Sequence, residues 1–288
     1  MPVCTGSLPD EENDMAMSTA YSGKSDTGLR RSRNEDCFIA DPELGLYVIC
    51  DGMGGVNAGD VASRMAIDSI LAHVKAADYD SAVPLLGPVD SNLTPTTNRL
   101  ASAIRAANEA VHTASLTDTK LEGMGTTVVA ARLSNQGLSI AHVGDSRLYL
   151  VRDGVVQLLT IDHSWVAEQV AQGNLTEEEA ERSSRRNIVT RALGVESSVE
   201  VDLAEIPMFN DDQVLLCSDG LTRGVGSREI LETLNLEIDL HRKTQHLITL
   251  ANRAGGHDNI TVLLIEIQQA AIGRFWQRIR RGWFLKAS

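Results

Sequence analysis

The sequence predicts an α+β protein with antiparallel strands, and three observations carry that reading. Two long segments with helical apolar spacing come early, four strand-like runs follow in quick succession, and helix-start signals return in the second half. Alternating βαβ units would need a helix between successive strands, and these connections are too short for one.

Taken in order, Leu46-Tyr47-Val48-Ile49-Cys50 is an apolar run that ends at Asp51 and reads as a buried strand. From Ala58 to Lys75, the residues Ala58, Val61, Ala62, Met65, Ile70, Leu71 and Val74 fall at helical spacing. Leu100, Ile104, Ala107 and Val111 do the same between Asn98 and Ser115. Both segments are expected to be amphipathic helices covering a sheet, joined by an internal loop through the Pro- and Gly-containing stretch Ala82 to Pro95. Thr126 to Leu133, Gly137 to Val143, Arg147 to Val151 and Val155 to Leu159 are expected to form an antiparallel meander. Thr176-Glu177-Glu178-Glu179 fits a capping box, and Ser227 with Glu229 opens another helix. Val214 to Cys217 and Ile260 to Ile267 are further apolar runs.

Composition narrows the functional classes. A chain of 288 residues with 43% hydrophobic residues can bury a full core, and its net charge of -13 argues against nucleic acid as the main partner. Four cysteines without C-x-x-C spacing fit a reduced compartment. With no signal peptide and no apolar run long enough to cross a bilayer, a cytoplasmic location is expected. The stretch 1–18 is polar and acidic without periodicity, as in a flexible tail, and 19–268 shows no linker and reads as one domain.

Asp51, Asp145 and Asp219 each end an apolar run, and Asp258 with Asn259 immediately precedes another. Singly, such residues are as readily turn formers. Together, converging carboxylates repel unless a cation sits among them, and a divalent ion with oxygen ligands is the usual solution. Upstream, Arg31-Ser32-Arg33-Asn34-Glu35-Asp36 would in isolation be a solvated charge run. Here it precedes Asp51-Gly52-Met53-Gly54-Gly55, whose glycines let backbone approach an ion or phosphate closely, and Arg31 is suited to grip a phosphoryl oxygen.

With Gly125-Thr126-Thr127, Val143-Gly144-Asp145-Ser146-Arg147, Asp162-His163-Ser164, Thr190-Arg191-Ala192-Leu193-Gly194, Ser218-Asp219-Gly220 and Asp258-Asn259 in the same order, the chain resembles the PPM or PP2C metal-dependent protein phosphatases in their bacterial form, over roughly 19–268. The resemblance implies a central antiparallel β-sandwich flanked by helices on both faces. It implies that Asp51 bridges two Mn2+ or Mg2+ ions, with Asp219 and Asp258 completing the first position and Glu35 with the Gly52 carbonyl serving the second. Asp145 with Asp219 would hold a weaker third ion, and Asp36 would orient bound water. An oxygen-only ligand set selects these metals over zinc, and none of the seven histidines forms an H-x-x-x-H pair.

The implied reaction is hydrolysis of phosphoserine or phosphothreonine on proteins by in-line attack of a hydroxide bridging the two ions, with Arg31 neutralising the phosphoryl oxygens. A bacterial serine/threonine kinase would be the opposing partner. The chain departs from some relatives at Met53, where a proton-donating histidine can stand; a thioether cannot protonate the leaving alkoxide, which leaves metal-bound water and His163 as candidates. The alternatives are a phosphatase of small phosphoesters and a catalytically dead binding module.

Beyond Gln269, Arg274, Arg278, Arg280, Arg281 and Lys286 occur without an acidic residue, and Ile272, Phe275, Trp276, Ile279 and Trp283 make a helical stripe opposite them. This tail, 269–288, is expected either to dock on its own domain or to meet a partner protein or an anionic membrane surface at the inner face of the membrane.

Overall fold

In the computed structural model, residues 17–54 and 58–269 are described. The expectations for the amino-terminal tail up to residue 16 and for the basic-aromatic stripe beyond Gln269 lie outside the described residues.

Alternation along the strands decides the layers. In β3 (Leu46–Met53), Leu46, Val48 and Cys50 face one way and join the apolar side of α1 (Gly59–Tyr79) and α2 (Pro95–Thr117). Tyr47 and Ile49 face the other way, into a layer shared between two sheets. Period-two side chains in a strand buried on both faces produce this division. The first sheet runs β2 (Asp36–Asp41), β3, β5 (Val128–Ser134), β6 (Gly137–Val143), β9 (Asp202–Ile206), with β4 (Gly125–Thr126) paired on β3. The second runs β1 (Met17–Asp26), β11 (Ile260–Gln269), β10 (Gln213–Cys217), β7 (Arg147–Arg152), β8 (Val155–Leu158). Leu148, Leu150, Val214, Leu216, Leu263 and Ile265 meet the first sheet. Tyr149, Leu215, Cys217, Val262 and Leu264 point outward to α5 (Asp219–Thr222), α6 (Ser227–Leu234) and α7 (Leu240–Arg253). The result is two antiparallel sheets between two helical layers, as the resemblance implies.

The single meander expected from four successive strands is corrected. β5 pairs with β6 and β7 with β8, but β6 and β7 lie in different sheets. Gly144, at φ +108, turns the chain between them. Both strands are buried on both faces and so can be interior strands: β9 covers the free side of β6, and β10 covers that of β7. β1, β2 and β9 had no clear sequence signal. The helices run past their expected ends, with Thr94 capping α2 ahead of Pro95. The capping box at Thr176 opens α4 (Glu177–Arg182), which follows the short α3 (Trp165–Ala171).

Candidate active site

The end of β3 is pinned from below. The Asp51 N–H donates to Thr127 Oγ1 at 3.1 Å, and the Asp51 carbonyl accepts from the Thr127 N–H and from Thr126 Oγ1, each at 2.9 Å. Asp36, on β2, sits directly opposite Asp51 in the antiparallel register. Asp36 Oδ2 accepts from Ser218 Oγ and Thr261 Oγ1, both at 2.7 Å, which ties the first sheet to the second at this end. Gly52 abuts the backbone of Gly59 and Glu35, leaving no room for a side chain. Its N–H donates to the Glu35 carbonyl, which also accepts from Ser63 Oγ at 2.6 Å.

Asp219 opens α5 directly after β10, and Asp258 lies just ahead of β11, so neighbouring strands deliver both carboxylates to the same end. Arg31 grips Asp258 with Nε on Oδ1 and Nη2 on Oδ2, each at 2.9 Å. Arg223 spans Asp219 and Asp258, one guanidinium nitrogen on each. Asn259 turns away from the carboxylates and acts as a staple. Its Oδ1 accepts the Glu35 N–H at 2.8 Å, and its Nδ2 donates to the carbonyls of Thr27 and Arg33.

Asp145 follows the turn at Gly144 and is buried. His163 braces that turn: the Gly144 N–H donates to His163 Nδ1 at 3.0 Å, and the Gly144 carbonyl accepts the His163 N–H at 3.0 Å. Since Nδ1 accepts, Nε2 carries the proton, and it faces Asp202 Oδ2 at 3.3 Å. The ring stacks on His142 with centroids 4.9 Å apart. His142, His163 and Asp202 form a compact group, and Arg191 already lies on Asp202 and beside His163 Nε2. Two other arginines of this region are engaged as well, Arg185 over the Trp165 ring and Arg186 on the Glu181 carbonyl.

The electrostatics show that the acids converge. Burial, then the charges of Asp36, Asp219, Asp145 and Asp258, push the Asp51 carboxyl well above its ordinary value. Burial raises Asp36 and Asp219 to about 6 and Asp145 to about 7; Arg223 works against the rise at Asp219 and Asp145, and the Ser218 and Thr261 hydroxyls work against it at Asp36. Glu35 is also raised, chiefly by burial and despite Arg31. Among the described residues, Asp36 Oδ1, Asp60 Oδ1, Asp219 Oδ1 and Asn252 Oδ1 are buried without a hydrogen-bond partner, and the Asp36 and Asp219 oxygens belong to this acidic cluster. A buried oxygen left in this state is costly; a divalent cation with hard oxygen ligands would satisfy Asp219 Oδ1 and offset the crowded charge, and water held by that cation would satisfy Asp36 Oδ1. The residues present therefore fit such ions.

No local signal in the sequence marks Ser218 and Thr261 as partners of Asp36 or Thr127 as the anchor of Asp51, and none but its spacing marks Arg223 as a pocket residue. Ser218 and Thr127 stand inside motifs singled out above. Arg223 could have been suspected from its place four residues after Asp219, where a helix returns a side chain to the same face.

A helix-covered β-sandwich with a carboxylate-lined pocket at the end of β3 and the starts of α5 and β11 defines a class, that of two-sheet α+β proteins with an acidic pocket suited to divalent ions. Residues 30–259 match the family described as Protein phosphatase 2C, and the chain belongs to that family. It is 40% identical over 254 residues to the serine/threonine phosphatase stp of Listeria monocytogenes serotype 4b (strain F2365), covering 87% of this chain and 97% of the relative. Its structure is similar to that of the serine/threonine phosphatase Stp1 from Staphylococcus aureus, with a TM-score of 0.78, 31% identity, and coverage of 91% of this chain and 100% of the other. It also resembles the catalytic domain of the serine/threonine protein phosphatase PstP in complex with two manganese ions, with a TM-score of 0.73, 35% identity, and coverage of 88% and 100%.

Proposed function

We propose that the protein is a metal-dependent serine/threonine phosphatase that removes phosphate from phosphoserine and phosphothreonine on proteins. The observation that carries this is the set of crowded, buried carboxylates with unpartnered oxygens beside a half-exposed arginine fork. Asp51 would bridge two Mn2+ or Mg2+ ions, Asp219 and Asp258 would complete one position, and Glu35 with the Gly52 carbonyl would serve the other. Asp145 with Asp219 would hold a weaker third. When bound, the ions supply the Lewis acidity that lowers the pKa of water for in-line attack at phosphorus and offsets charge on the entering and leaving oxygens.

The chain's own residues position the rest. Arg31, whose side chain is 49% exposed against 12% for Asp258, can swing its fork from that carboxylate to a phosphoryl oxygen, exchanging one charge-assisted pair for another. Asp36, held by two hydroxyls, presents its second oxygen to orient water in the pocket. His163 serves as the brace of the Gly144 turn. The activity belongs to the domain 19–268, acts in the cytoplasm against a serine/threonine kinase, and is brought to anionic lipid by the tail 269–288. Relatives named as serine/threonine phosphatases support the substrate class, and among the described residues no helix is long and apolar enough to cross a membrane.

Phosphothreonine and phosphoserine peptides should be hydrolysed in Mn2+, with activity lost to chelator and restored by metal. Turnover of p-nitrophenyl phosphate without turnover of any phosphopeptide would refute the protein-phosphatase reading in favour of small phosphoesters.

A further inference from the structure

Arg223 lies where a metal ion would draw the same carboxylates together. It closes the single-turn helix α5, with its backbone N–H bonded to the Asp219 carbonyl at 2.9 Å, and its side chain folds back four residues to Asp219. From there the guanidinium reaches across to Asp258 on the neighbouring segment. The side chains of Arg223, Asp219 and Asp258 are 22%, 14% and 12% exposed, so water screens these pairs only partly. Arg223 also feels the charges of Asp51 and Asp145, and no other basic side chain is paired with Asp219 among the described residues. Arg31 differs: it is half-exposed, arrives from a loop, and touches only Asp258 of this group.

A guanidinium that holds two carboxylates uses their lone pairs and supplies positive charge at the point where they would otherwise repel. We infer that Arg223 is a tethered cation that competes with the metal ion for Asp219 and Asp258, holding the empty pocket together and weakening metal binding at that position. The inference rests on the ligand reading proposed above. Both Arg223 and Arg31 must release Asp258 before both oxygens of that carboxylate can turn to an ion, but Arg223 alone also holds Asp219, and its attachment at the end of α5 keeps it close enough to return. The competition thus has an effective concentration set by one helical turn rather than by solution, and it sets how much free metal is needed to fill the site.

The test is calorimetric titration of the full chain with Mn2+, together with thermal melting of the metal-free protein. Arg223→Gln should bind Mn2+ about tenfold more tightly, equal to ~1.4 kcal/mol, and should melt at lower temperature than the wild type when metal-free. Arg223→Lys, a point charge that cannot span two carboxylates as a fork does, should fall between them. Arg223→Gln or Arg223→Lys binding Mn2+ no more tightly than the wild type, while Asp219→Asn loses binding, would overturn the competition and leave the ligand reading standing. Unchanged binding in Asp219→Asn would remove both.

Discussion

Replacing Gly144 by alanine tests whether the turn between the two sheets is what positions Asp145 and Asp51. Gly144 has φ +108, a conformation that side-chain-bearing residues rarely adopt. A Cβ there would lie 2.6 Å from Thr127 Cβ and Cγ2, about 0.8 Å inside the 3.4 Å at which ordinary contact begins. Thr127 cannot yield freely, because its Oγ1 accepts the Asp51 N–H and contacts Ser146 Oγ at 2.8 Å. Backbone strain of ~1–3 kcal/mol and overpacking of similar size predict a loss of about 2–6 kcal/mol for Gly144→Ala. That is a large part of the ~5–15 kcal/mol that holds a domain together. Gly154→Ala is the internal control: φ is +76 but nothing lies within 4 Å, so only strain of ~1–2 kcal/mol remains. Urea denaturation of both variants measures the difference, and Mn2+ titration reads the displacement of Asp51 as weaker binding in Gly144→Ala alone. A Gly144→Ala variant no less stable than Gly154→Ala would refute the steric argument.

Asp51→Asn should abolish Mn2+-dependent phosphopeptide hydrolysis yet raise the melting temperature of the metal-free protein, by ~2–4 °C if relief of repulsion reaches ~1 kcal/mol; a lower melting temperature would contradict the crowding described here. Ser218→Ala leaves Asp36 Oδ2 with Thr261 alone and should cost about 1–3 kcal/mol in denaturation, with kcat falling more than Mn2+ affinity because Asp36 orients water rather than binding metal; equal falls would place Asp36 among the ligands. Burial lowers the pKa of both His142 and His163 below the ordinary 6.5, so the folded state takes up their protons less readily than the unfolded chain. Stability from this pair is therefore complete above pH 6.5 and is lost as pH falls through the lower folded values, by at most ~1.4 kcal/mol per pH unit for each imidazole. His142→Gln should flatten the acid limb of Mn2+-saturated protein in urea denaturation at pH 7.5, 6.5 and 5.5, and a limb as steep as that of the wild type would reject the assignment.

The acidic pocket was legible because its residues sit at strand ends. An apolar run that stops at a carboxylate places that group at the edge of a sheet whichever strands pair with it, so Asp51, Asp145, Asp219 and Asp258 could be named before any fold was known. Glu35 and Arg31 came from a local charge string and from the family resemblance. Asn259 was legible only as the neighbour of Asp258 in a motif; its amide bonds the Glu35, Thr27 and Arg33 backbone, a role set by segments far from it in the chain. Ser218 and Thr261 were invisible as partners of Asp36 because about 180 residues or more separate them from it in the chain.

By itself, the sequence determined the α+β class, the helices and most strands, and the carboxylates. These depend on periods of two and of about 3.6 residues and on where apolar runs stop, which are properties of short segments. Only the tertiary structure decided that β6 and β7 part company at Gly144, that β1, β2 and β9 complete the sheets, and that Arg223 spans Asp219 and Asp258. Sheet partners and converging side chains are set by packing between distant segments, which no local period records.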